Sequence, residues 1–70
     1  MHPSVEAILK HFEYRHLPAH LQAVSAPVCD LAHNFASAPN ALPGPELTAG
    51  LRKLLEAKDC FVRAAVEASS

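Results

Sequence analysis

The sequence predicts an all-α fold: a short N-terminal helix plus an antiparallel helical hairpin, with the second helix kinked near Pro27. Three observations predict it. Leu21, Val24, Val28, Leu31 and Phe35 recur in steps of three and four residues, which lines one side of a helix. Leu47, Leu51, Leu54, Lys58, Phe61 and Ala65 repeat the pattern later in the chain. Between the two stripes stands Pro43-Gly44-Pro45, a connector that favours two helices folding back on each other. There is no strand-period alternation and no internal repeat.

The elements follow in order. Ser4 is a candidate cap for the first helix, with Glu6 near the positive end of its dipole. Val5, Ile8, Leu9 and Phe12 form its apolar face. Pro18 reads as a first-turn residue of the second helix, so the first should end near Tyr14 to His16. The second helix should run from about Pro18 to Ala36. Pro27 removes one backbone donor inside it, which predicts a bend rather than a break, because the stripe stays in phase across it. Ser37 to Gly44 is the connector. Gly44, Pro45 and Glu46 read as N-cap and first two helical positions of a third helix that reaches about Ala68. Its outer face offers Arg52–Glu56, Asp59–Arg63 and Arg63–Glu67 as pairs of opposite charge one turn apart. Leu55, Val62 and Val66 make a second apolar strip beside the seam.

Seventy residues make one domain, 1–70. A chain of this size buries only about 60% of its unfolded surface. Half of its residues are hydrophobic, more than one hairpin seam can hide, which predicts a homo-oligomer. A net charge of -1 with both signs mixed argues against a duplex DNA binder. No apolar run approaches the roughly 18 residues of a membrane span. No apolar leader segment is evident either, so a soluble cytoplasmic protein is expected. Cys29 and Cys60 are too few for a disulfide scaffold and lack CxxC spacing, so reduced thiols are expected.

Chemistry-bearing residues are sparse. His16 and His20 have the spacing of two metal ligands on one helix, but Pro18 lies between them and no third ligand is near, which favours solvated histidines. Two glycines cannot build a phosphate loop, and no nucleophile–base grouping follows from spacing. No cofactor is expected. The carboxylates and arginines of the third helix read either as a solvated face or as an oligomer contact or anion site using Arg52 or Arg63. Lys58 stands in a packing stripe, so it either snorkels or belongs to a site. Tyr14 and Arg15 form the sharpest pair: a ring able to stack on a base beside a guanidinium able to fork onto a phosphate. From chemistry alone, a tyrosine at a helix junction is more often a packing residue.

The segment His11-Phe12-Glu13-Tyr14-Arg15-His16-Leu17-Pro18, together with Leu51-Arg52-Lys53-Leu54-Leu55-Glu56-Ala57-Lys58-Asp59, resembles a family of small phage helical-hairpin proteins. These are the nucleotide sponges that counter the bacterial CBASS and Thoeris defences. The resemblance spans about His11 to Glu67. It implies a phage or prophage protein, acting in the cytoplasm of a bacterial host. It further implies a compact homo-oligomer, commonly a hexamer, that sequesters cyclic nucleotide messengers without cleaving them. Ligands of the family include cyclic dinucleotides, cyclic trinucleotides and, in one branch, cyclic ADP-ribose isomers. Tyr14 matches the family's base-stacking tyrosine. The candidate ligand-binding residues are then Phe12, Tyr14, Arg15, Arg52, Lys58 and Arg63. Two positions depart from the family: Cys29 stands where some members have a ligand-contacting lysine, and Cys60 precedes Phe61 where an aromatic residue is common. The alternative is a helical oligomerisation or protein-interaction module that presents Leu55, Val62 and Val66; a phosphodiesterase is the third reading.

Overall fold

The structure, a computed structural model, describes residues 2–69. It contains three α-helices, α1 Pro3–Leu9, α2 Ala19–Ala36 and α3 Gly44–Ala68, with a 3-10 turn at Lys10–Phe12. α2 and α3 pack as a hairpin-like pair, and α1 lies against both. The chain is elongated, 40 × 18 × 17 Å.

The cap of the first helix lies two residues before the expected one. Pro3 has its φ preset for the first helical position. His2 is therefore the cap: its Nδ1 accepts the Ser4 amide at 3.1 Å and sits 2.8 Å from the Ser4 hydroxyl. Ser4 is already inside the helix. Seven residues are too few for a helix to hold itself in water. Burial of Val5, Ile8 and Leu9 holds it instead.

The expected end near Tyr14 to His16 is also corrected. α1 stops at Leu9 and tightens into the 3-10 turn, which delivers Phe12 to the core with no exposed surface. Two contacts set the direction of this segment. Ser4 Oγ lies 3.5 Å from Thr48 Oγ1, and the His11 carbonyl accepts from Lys58 Nζ at 2.8 Å. The segment thus runs alongside α3 in the same sense.

α2 starts one residue later than expected. Pro18 is its extended N-cap, and the Pro18 carbonyl accepts from the Leu21 and Gln22 amides at 3.0 Å each. The helix passes through Pro27 without a break. Its buried face is Leu21, Ser25, Cys29, Ala32 and Ala36. The larger stripe read from the sequence lies beside that face: Val24 and Val28 are half-buried, while Leu31 and Phe35 are 43% and 38% exposed. Small side chains let the helix axes approach closely, so the narrow side of α2 goes inward and the bulky side stays out.

The connector contains a cis Ala38–Pro39 bond and is tied back by the Leu42 amide, which donates to the Phe35 carbonyl at 2.8 Å. α3 is counted from Gly44, whose φ of +78° suits only a residue without a Cβ. The regular helix therefore opens on Pro45 and Glu46, close to the expectation. Leu51 is its best buried apolar residue and Lys58 is buried beside the His11 carbonyl. No helix among the described residues is long and apolar enough to cross a membrane.

Candidate functional site

The 3-10 turn ends at Phe12, and the chain then makes a compact turn before α2. The Leu17 amide donates to the Tyr14 carbonyl at 3.0 Å, closing this turn. The Glu13 carboxylate folds over its start and accepts the Tyr14 amide at 3.1 Å and the Arg15 amide at 3.2 Å. Those two amides, the Arg15 one first, hold the Glu13 carboxyl below the ordinary glutamate range against an opposing effect of desolvation, with lesser help from the Arg15 charge and its side-chain hydrogen bond.

The sign of that shift gives a pH prediction. A carboxylate with a lowered folded-state pKa supports its surroundings above its unfolded value and loses that support as pH falls through the folded value. Amide exchange at Tyr14 and Arg15, corrected for intrinsic rates, should stay constant down to the ordinary glutamate range. It should rise below that range in wild type, and be fast at all pH values in Glu13→Ala.

Tyr14 is half-buried, with part of its ring against the core. The Arg15 guanidinium carbon sits 5.4 Å from the ring centroid, within cation–π range. Its Nη1 is 3.4 Å from Glu13 Oε1, with the Arg15 side chain 78% exposed. An ion pair this exposed is weak, so a competing phosphate displaces it at little cost. The turn therefore presents an anchored aromatic ring beside a releasable guanidinium.

The other candidates fall in different places. Phe12 lies beneath the turn, fully buried, and gives a ligand no surface. Lys58 is on the same side of the molecule, but its ammonium is committed to the His11 carbonyl and lies 3.6 Å from Asp59 Oδ1. Arg52 is six positions earlier on α3, about 9 Å away along the helix. It lines an open cleft of about 660 Å³ with His2, Ser4, Thr48 and Leu42. The expected Arg52–Glu56 and Asp59–Arg63 pairs do not close, while Asp59 turns to Lys58 and Arg63 Nη2 donates to Cys60 Sγ at 3.3 Å. Within one chain, then, only Tyr14 and Arg15 converge, and Arg52 belongs to a separate surface.

Sequence reasoning missed Gln22. Its side-chain amide donates to the Leu17 carbonyl at 2.7 Å and the Arg15 carbonyl at 3.3 Å, closing the turn from the α2 side. A side chain that bonds to backbone carbonyls leaves no pattern in a sequence, so no signal pointed to it.

Cys29 and Cys60 are both free, the first buried and the second exposed. Burial pushes the Cys29 thiol up, and the Glu13 and Asp30 charges add to it. Cys29 faces the core. A thiol-reactive chromogen at neutral pH should titrate one fast thiol per chain, Cys60. The second should react only on unfolding. Two fast thiols in the native state would contradict this placement of Cys29. Among the described residues, no group of three or more His, Cys, Asp or Glu is placed to hold a metal ion. No protein-family model, curated protein or solved structure matches this chain.

Proposed function

We propose that this chain is a non-enzymatic binding protein that sequesters cyclic di- or trinucleotides in pockets between protomers of a homo-oligomer. A hexamer is the order its sequence resemblance implies. In this reading it acts in the cytoplasm of a bacterial host as a phage immune-evasion protein.

The observation that carries the reading is the Tyr14–Arg15 turn. A cyclic oligonucleotide offers flat bases and fixed phosphates, and the turn offers a ring face and a guanidinium. One chain is too thin to enclose such a ligand. A second protomer is needed to close the pocket, and Leu31, Phe35, Leu42, Phe61 and Val66, all more than a third exposed, supply apolar surface for it. Arg52 and Arg63 then serve as cations brought by a neighbour. Tight capture without turnover asks for no nucleophile or metal, only complementary surfaces. The same exposed residues would equally serve a helical interaction module with no nucleotide ligand, which is the second reading.

Calorimetry on Tyr14 and Arg15 variants tests the proposal. Tyr14→Leu keeps apolar packing against the core and removes the π face. It should weaken cyclic-nucleotide binding by about 1–3 kcal/mol, roughly five- to hundredfold, with helicity and oligomer size unchanged. Arg15→Ala should also weaken binding, and its effect should shrink with added salt because the contact is solvent-accessible. Unchanged affinity in Tyr14→Leu would make Tyr14 a packing residue and place the pocket elsewhere.

A further inference from the structure

We infer that Gln22 and Lys58 are positioning residues that clamp the Glu13–Leu17 turn from two helices, so that Tyr14 and Arg15 meet a nucleotide already ordered. The inference rests on the reading of that pair as the ligand-binding element and adds two residues to it.

The clamp is a series of hydrogen bonds on either side of the turn and within it. On the entry side, Lys58 reaches across from α3 and donates to the His11 carbonyl at 2.8 Å. The next link is the Glu13 amide, which donates to the Lys10 carbonyl at 3.3 Å. On the exit side, Gln22 reaches back from the first turn of α2 to the Leu17 and Arg15 carbonyls at 2.7 and 3.3 Å. Inside the turn, Glu13 holds the Tyr14 and Arg15 amides and the Tyr14 carbonyl holds the Leu17 amide. The turn is thus tied to α3 before Tyr14 and to α2 after it.

Lys58 suits this role better than direct contact. It is 9% exposed, and the bond to His11 satisfies a carbonyl that a 3-10 end would leave open. Reaching a ligand would break that bond inside a nearly dry site. Gln22 is neutral and adds no charge next to a phosphate. An already ordered turn loses less freedom on binding, which is how a residue that never touches ligand raises affinity.

The test uses the full chain with Lys58→Met and Gln22→Met, both close in length to the native side chain and lacking the donor, and Lys58→Arg as the conservative variant. Two readouts are taken at a temperature where circular dichroism shows every variant folded. The first is amide hydrogen exchange at Leu17 without ligand. The second is calorimetry with cyclic di-AMP, cyclic GMP–AMP and cyclic tri-AMP at low and high salt. Each Met variant should lose Leu17 protection and bind about three- to tenfold more weakly, the loss of one net hydrogen bond. Its salt dependence should match wild type, because no phosphate contact is lost, and Lys58→Arg should recover most of the affinity. Unchanged Leu17 exchange in both Met variants would overturn the clamp. A flattened salt dependence in Lys58→Met, like that of Arg15→Ala, would overturn it by making Lys58 a phosphate ligand. A wild-type protein that binds none of the three probes would overturn the binding role of the turn. The exchange readout separates that failure from a turn that needs no clamp.

Discussion

Phe12→Ala should leave most of the chain unfolded at room temperature. Phe12 is the largest fully buried side chain, and it joins the 3-10 turn to the shared core of all three helices. Truncating a buried Phe costs about 3–5 kcal/mol. A single core in a domain below about 70–80 residues rarely supplies more than about 3–5 kcal/mol in total. The two figures are equal, so little stability remains. Phe12→Leu keeps most of the volume and should cost less than about 1.5 kcal/mol. Chemical denaturation followed by circular dichroism measures both. A Phe12→Ala protein that melts within a few degrees of wild type would contradict the packing described above. The variant would also lose any ligand affinity, but by unfolding, which is why it is no probe of the pocket.

Leu31→Asp should convert the proposed oligomer to folded monomers. Leu31 is 43% exposed and contributes to the bulky side of α2 that the core leaves uncovered. A neighbour that covers it would enclose an uncompensated carboxylate, at a cost of about 3–5 kcal/mol. The monomer pays almost nothing for the same change, because the side chain is already in contact with water. Phe61→Asp, at 55% exposure, tests the same contact from α3. Leu55→Asp is a poorer choice, since Leu55 packs against the chain's own core and its loss mixes unfolding with dissociation. Light scattering with circular dichroism reads both quantities. Wild type that stays monomeric at high concentration would remove the oligomer, and with it the pocket between protomers.

Helix number and order, and the bounds of α2 and α3 to within a residue or two, were legible because apolar periodicity, Pro27 in phase, and Pro-Gly-Pro all act within a few residues, whereas the bounds of α1 were not. Which side of a helix goes inward was less legible. Periodicity marks α2 as amphipathic, but two adjacent stripes satisfy it, and the choice depends on how closely α1 and α3 approach. The structure places Cys29, Ala32 and Ala36 inside and leaves Leu31 and Phe35 half out. Lys58 interrupted the third-helix stripe, which marked it as unusual without saying why. The reason is tertiary: a carbonyl 47 positions earlier needs its proton. At the candidate site, Tyr14 and Arg15 were legible because they are neighbours in sequence. Gln22 and the His2 cap were not, since both act on backbone groups and any polar residue of suitable reach can do that.

The most direct test of the nucleotide-sequestering proposal is to incubate the purified protein with the same three cyclic nucleotides, remove unbound ligand, denature the protein, and identify what is released by chromatography. The account predicts that at least one is retained and recovered as the intact cyclic species in a fixed ratio to protomers. It also predicts that Tyr14→Leu retains much less of it. Release of linear products would establish an enzyme instead. Retention of none at micromolar protein would contradict the account and leave a helical interaction module as the reading of this fold.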